Sequence, residues 1–166
     1  MPAANPTAYI GLGSNLADPR AQVERALERL ARLPRSRVLR SSRLYRSAPW
    51  GMLDQPEFVN AAAAIETVLS PSALMQALLA IEREAGRDRN GERWGPRILD
   101  LDLLLHGALT LAEPGLQLPH PHLHERAFVL LPLAEIAPDL DVPGRGPISA
   151  LLSRVDTAGC HVIDAA

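Results

Sequence analysis

RWGPRILDLDLLL, residues Arg93 to Leu105, is the stretch on which the reading of this chain turns. Its second half alternates Leu99, Asp100, Leu101, Asp102, Leu103. Strand side chains point to opposite faces with period two, which predicts both aspartates on one face and the three leucines on the other. Carboxylates at i and i+2 lie roughly 6.6 Å apart along a strand, close enough to hold one or two Mg²⁺ ions. Mg²⁺ takes hard oxygen ligands and commonly shares them with substrate phosphates. Arg93 and Arg97 sit beside the pair, and Gly95-Pro96 bends the chain just before the strand. Cations suited to phosphate therefore adjoin carboxylates suited to metal.

An Asp-x-Asp on a half-buried strand is ordinarily just a solvated face. Two carboxylates side by side are nevertheless costly: at about 5 Å and an effective dielectric of 20 they repel by roughly 3 kcal/mol. Arg87, Arg89, Arg93 and Arg97 are the nearest groups able to offset that.

Upstream, Ser70-Pro71 marks the start of a helix, with Leu74, Leu78, Ile81 and Ala85 at helical spacing and Gly86 as its stop. Glu82 falls near the C-terminal end, where an anion opposes the helix dipole; it is expected to be exposed or held by a cation such as Arg87. Residues 87–96 then form a polar connection longer than the usual ~4–6 residues, as expected of a lid. Phe58 to Thr67 alternates as a strand, putting Phe58 and Asn60 on one face. Asparagine is disfavoured within strands, so Asn60 calls for a partner. Val38 to Tyr45 reads as another strand, its Arg40 and Arg43 on a solvated face, followed by a Pro- and Gly-punctuated loop carrying Trp50. Thr7 to Gly13 reads as a strand whose GLGSN end lacks the lysine and glycines of a phosphate loop, so a packed strand end is favoured. Asp18-Pro19 caps a helix bearing Val23, Leu27 and Leu30.

Downstream, His106-Gly107 ends the Asp-x-Asp strand and short extended pieces run to Leu118. His120, His122 and His124 lack zinc-site spacing, being interrupted by Pro121 and accompanied by no paired cysteines. Residues 125–137 hold an apolar, helix-like run, and a last amphipathic helix covers Pro147 to Val155. Strand, helix, strand, strand, helix, strand is the order of the split βαβ unit, so the expected class is α+β, ferredoxin-like, with an antiparallel sheet and helices on its faces.

The 166 residues suit one domain, with a core over about 8–155. A formal net charge of −2 argues against general nucleic-acid binding. The single Cys160 fits a reducing compartment, hence the cytoplasm, and neither a signal peptide nor a membrane-spanning run is visible.

GLGSNL, YRSAPWG with DQPEFVNAA, RWGPRILDLDLLLHG and LPHPHLHERAFVLLPLAEIAP together resemble segments of the 6-hydroxymethyl-7,8-dihydropterin pyrophosphokinase family. The resemblance covers roughly residues 8 to 155, most specifically in RWGPR-x-LDLD. It implies transfer of pyrophosphate from ATP to the hydroxymethyl group of 6-hydroxymethyl-7,8-dihydropterin in folate biosynthesis, on a ferredoxin-like fold, with two Mg²⁺ and a monomeric enzyme. On it, Asp100 and Asp102 are the metal pair, and Arg87 and Arg97 join them as catalytic groups. Glu82, Trp94, His120 and Arg126, with Arg87 and Arg97, are implied at ATP. Phe58 and Phe128 are implied as the walls between which the pterin stacks, with Asn60 at its edge and Ser47, Ala48 and Trp50 lining its pocket. Departures from the pattern are Phe58 for a common tyrosine, Leu79 for a polar residue, Asn90 for a lid cation and Pro121 for an aromatic. A base for the hydroxymethyl proton is not evident, Asp102 being one possibility. Two other readings stand beside this one: a different Mg²⁺-dependent nucleotide-using transferase with an Asp-x-Asp site, and a non-catalytic ferredoxin-like module.

Overall fold

A computed structural model describes residues 5–47, 56–86 and 98–163. The first strand, β1 (Thr7–Ser14), alternates Ala8, Ile10 and Leu12 on one face with Tyr9, Gly11 and Gly13 on the other. The apolar set packs beneath α1 (Pro19–Leu30), whose Val23, Ala26 and Leu30 are buried. Asp18 caps α1 by accepting the Ala21 N–H, and Pro19 opens it as expected. β4 (Phe58–Thr67) has the bounds its pattern predicts and pairs antiparallel with β1. Ser70 caps α2 (Pro71–Glu84) through the Ala73 N–H at 3.1 Å. Gly86, at φ +92°, takes the left-handed position past its end that a side chain would disfavour.

The Val38–Tyr45 strand is corrected to two pieces, β2 (Ser36–Ser41) and β3 (Tyr45–Ser47), both paired antiparallel with β4. The arginines here are less solitary than a solvated face suggests: Arg37 pairs with Glu66 at 3.0 Å, and Arg40 donates to the Ile136 carbonyl at 3.1 Å. β5 (Asp100–His106) completes the split βαβ unit as an edge strand on the other side of β1. With β10 (Cys160–Val162) added beyond β3, the sheet order is β10-β3-β4-β1-β5, β2 also lying on β4. This is the expected ferredoxin-like α+β arrangement.

One face of the sheet is closed by α1 and α2 over Ile10, Leu12, Ala63, Ile65, Leu99, Leu101 and Leu103. The other meets α3 (Ala127–Ile136) and α4 (Ile148–Leu152) through Leu104, Leu105, Leu130, Leu133 and Leu151. That β5 supplies consecutive leucines to this second cluster follows from a bulge: Tyr9 faces Leu105 while Ile10 faces Leu103. Two small hairpins, β6 (Leu111–Glu113) with β7 (Leu116–Leu118) and β8 (Asp141–Val142) with β9 (Gly146–Pro147), lie off the main sheet. Among the described residues no helix is long and apolar enough to cross a membrane.

Candidate active site

Register alone brings the chemistry-bearing residues together. Tyr45 of β3 faces Asn60 of β4, Asn60 faces Gly13 of β1, and Gly13 faces Asp100 of β5. In the next row Ala62 faces Gly11, and Gly11 faces Asp102. Directly opposed residues share a face, so Asn60 and both aspartates point to the α3 side of the sheet. At about 4.8 Å per strand, Asn60 and Asp100 stand roughly 10 Å apart across β1. Gly11 and Gly13 carry no side chain into that interval. Space is tightest at Gly13, where a Cβ would meet Asn60 Oδ1 at 3.0 Å; at Gly11 it would meet Leu104 at 3.4 Å, an ordinary contact.

Asp100 and Asp102 are half-buried, while Leu99, Leu101 and Leu103 are buried on the opposite face, as their alternation predicts. Of the two expectations for Glu82, exposure is ruled out, and Arg87 lies outside the described residues. Glu82 is 1 % exposed, and its Oε2 accepts the Leu101 N–H at 2.7 Å. A carboxylate from α2 thus fastens the backbone between the two aspartates. The hint was in the helix stripe, since Glu82 follows Leu78 by four residues and so shares its inward face.

Beyond β7, the chain returns along β5, the His120 N–H donating to the Leu104 carbonyl at 2.9 Å. His120 Nδ1 accepts the His122 N–H at 3.2 Å. In the neutral ring the proton therefore sits on Nε2, which is 4.0 Å from Asp102 Oδ1. Burial, helped by the positive charge of Arg126 and by His122, pushes the His120 pKa down to about 4 against the pull of Asp100. His120 is thus a neutral donor at physiological pH.

Arg126, only 8 % exposed, precedes the first turn of α3, and its guanidinium lies 5.7 Å from the Phe128 ring centroid. Asn60 is buried, and its amide donates to Ser47 Oγ at 2.6 Å, the partner its mid-strand position called for. Phe58 is half-buried on the same face of β4 as Asn60 and pairs with Ser47. GLGSN is a packed strand end: Ser14 and Asn15 are buried, and the Asn15 amide donates to the Pro56 carbonyl at 3.0 Å. Gly13, against Asn60, is the position of this segment that motif reading passed over. The signal available was the glycines' restriction to one face of an otherwise apolar strand.

A cavity of about 610 Å³ opens where α2, β5 and the β6–β7 hairpin meet, bordered by Gln76, Leu79, Asp100, Asp102, Gln117 and His120. Leu79 and Pro121, two of the departures, line this same cavity. Ala48, Trp50, Arg87, Asn90, Trp94 and Arg97, and the lid expected over 87–96, lie outside the described residues.

The donor set fits Mg²⁺. It offers carboxylates on one face with further oxygens to be supplied by phosphates, and among the described residues no cluster of three or more His, Cys, Asp or Glu forms an all-protein cage. Residues 9–138 match the family model of 7,8-dihydro-6-hydroxymethylpterin-pyrophosphokinase, HPPK. The chain belongs to this family. It is 51% identical over 151 residues to 2-amino-4-hydroxy-6-hydroxymethyldihydropteridine pyrophosphokinase of Pseudomonas aeruginosa, covering 91% of this chain and 93% of that one. The enzyme of the same name from Methylorubrum extorquens is 45% identical, over 95% of this chain and 98% of that one. Among solved structures, an HPPK-DHPS in complex with substrates superposes with a TM-score of 0.73 at 12% identity. That match covers 91% of this chain and 43% of the longer one, and it speaks for the HPPK fold. Membership in the HPPK family leaves the other transferase and the non-catalytic module without support.

Proposed function

We propose that the face of the sheet carrying Asn60, Asp100 and Asp102 is where this HPPK transfers pyrophosphate from ATP to the hydroxymethyl group of 6-hydroxymethyl-7,8-dihydropterin. The products are AMP and the pterin diphosphate. The observation that carries the reading is the row Asn60–Gly13–Asp100, which sets an amide suited to a heterocycle edge and a carboxylate suited to metal either side of a residue with no side chain.

Phe58 and Phe128 supply flat apolar surfaces for the pterin, each stacking contact contributing about 1–3 kcal/mol by analogy with nucleobases. Asn60, held by Ser47, keeps its carbonyl oxygen for the pterin edge, with Ser47, Ala48 and Trp50 around it. ATP occupies the cavity beside α2 and β5, its phosphates directed at the aspartates. Asp100 and Asp102 hold Mg²⁺, two ions in our reading, which neutralise the charge gathered on the triphosphate. Glu82 serves ATP at one remove, by fixing Leu101 between the metal carboxylates.

Phosphoryl chemistry of this kind is mostly positioning and electrostatics. His120 donates from Nε2 without needing to be protonated, and Arg126 presents a fork suited to phosphate oxygens. Arg87, Arg97 and Trp94 complete the ATP contacts in this reading, on a lid that excludes water. Asp102 is the candidate acceptor for the hydroxymethyl proton in this reading. The protein works as a monomer in a reducing cytoplasm. The deciding experiment is AMP release from ATP and Mg²⁺ with and without the reduced pterin alcohol. Release that depends on the alcohol is expected, and release indifferent to it would remove the assignment.

A further inference from the structure

Between β2 and β3 the pairing on β4 slips. Ser41 faces Ala63 and Tyr45 faces Asn60, so one strand spends an extra residue over the same interval. This is a bulge at residues 42–44, and bulges free backbone groups and re-aim side chains. Ser42 stays bound to Ala62 through both its N–H and its hydroxyl. The Arg43 N–H turns outward and donates to Glu135 Oε2 at 2.8 Å. Arg43 Nε and the Tyr45 hydroxyl both donate to Glu135 Oε1, at 3.1 and 2.5 Å.

Glu135 belongs to α3, and it follows Phe128 by seven residues. Seven residues are almost two full turns, so both side chains lie on one face of the helix. Tyr45 and Ser47, two apart on β3, likewise share a face and are both buried. The helix and the strand therefore run alongside one another. Glu135 meets Tyr45 at one end, and at the other Phe128 and Ser47 border a common cavity of about 530 Å³. Tyr45 and Ser47 in turn face Asn60 and Phe58 across the β3–β4 ladder. Docking of α3 does not itself require a carboxylate, because Leu130, Leu133 and Ile136 already bury its apolar side.

We propose that Glu135 is a positioning residue for the pterin pocket, clamping α3 to the bulge so that Phe128 stands at a fixed distance from Phe58 and Asn60. The inference rests on the pterin-pocket reading given above. The charge states suit a clamp: burial opposes ionisation of Glu135, but bonds from Tyr45 and Arg43 outweigh it and hold the carboxyl below its usual range. Burial and the bond to Glu135 push Tyr45 up to about 12, which keeps its hydroxyl a donor.

Steady-state kinetics on Glu135→Ala, Glu135→Gln, Tyr45→Phe and Phe128→Ala, each with a thermal melt, tests the proposal. Glu135→Ala should raise KM for the pterin on the order of tenfold, as expected for losing charge-assisted hydrogen bonds, with KM for ATP nearly unchanged. Tyr45→Phe should move the same parameter less, and Glu135→Gln, which still accepts from Tyr45, should restore most of it. An unchanged pterin KM in folded Glu135→Ala, or equal rises for both substrates, overturns the clamp. If that variant does not fold, Tyr45→Phe decides by the same criteria. Phe128→Ala separates the two ideas. Should it leave the pterin KM alone, the pocket reading falls and takes the clamp with it. Should it raise the KM while the Glu135 and Tyr45 variants do not, the clamp alone falls.

Discussion

On one face of the sheet Ala8, Ile10 and Leu12 of β1 disappear beneath α1 and α2; on the other, Gly11 and Gly13 of the same strand carry no side chain, and Leu104 and Asn60 come up against them. One strand thus serves two purposes, one residue apart. The closed face is continuous aliphatic packing, each buried leucine contributing about 1.5–3 kcal/mol. The glycine face gives up that contribution at Gly11 and Gly13 and flanks them with polar groups, Asn60 on one side and Asp100 with Asp102 on the other. Stability and chemistry are separated by the pleat itself. Substitutions should therefore sort by the parity of their position as much as by their location in the chain.

The sharpest contrast lies on β5. Asp100→Asn or Asp102→Asn should lower turnover by about a thousandfold or more, the several kcal/mol expected of losing a metal carboxylate, with a nearly unaltered melt. Near-normal Mg²⁺-dependent turnover in both variants would mean the two aspartates are merely solvated. The aromatic walls come next. Phe58→Ala and Phe128→Ala should each weaken pterin binding by roughly tenfold, from the ~1–3 kcal/mol of one stacking surface, and disturb ATP much less. Calorimetry on each ligand checks this, and equal losses for both would make the rings core rather than wall. Phe58→Tyr should be close to neutral.

A smaller effect compares neighbours on β1. Leu12→Ala should cost about 2–4 kcal/mol of stability and leave both KM values alone. Gly13→Ala should do the reverse. Its new methyl meets Asn60 Oδ1 at 3.0 Å, so the pterin KM should rise several-fold for a modest loss of stability. If both variants change stability and KM alike, the two faces are not separate. The smallest effect is in titration. In the metal-free protein, NMR should follow His120 to a midpoint near 4, because its buried ring resists a charge. Its folded pKa lies below the unfolded 6.5, so the unfolded chain takes up the proton first. The associated stability is then lost as pH falls from about 6.5 to about 4. An ordinary midpoint would show the ring to be solvated.

Local pattern made much of this legible. The β4 bounds, the caps of α1 and α2, and the face shared by Asp100 and Asp102 all follow from spacing and capping chemistry. What escaped reading depends on long-range register. The split of 38–45 into two strands arises from a bulge against β4, which nothing within residues 38–45 announces. For Glu82 the sequence left exposure and a cation partner open, and the Leu101 N–H it accepts belongs to another element. Gly13 reads as a strand-end glycine, because Asn60 lies in another strand. The aspartates came from one contiguous stretch, whereas the pterin side is assembled from β3, β4 and α3. That difference is why the first was visible in sequence and the second required a resemblance.

The row Tyr45–Asn60–Gly13–Asp100 works as a ruler whose divisions are backbone hydrogen bonds. Strand pitch is among the least adjustable lengths in a protein, since changing it means breaking a ladder and not merely turning a side chain. On the reading proposed above, that pitch sets the interval between the pterin and the Mg²⁺ at the aspartates. An alcohol on a longer or shorter arm would fill the same walls and still present its oxygen out of line with the phosphorus. Selectivity of this kind would reside in turnover rather than in binding.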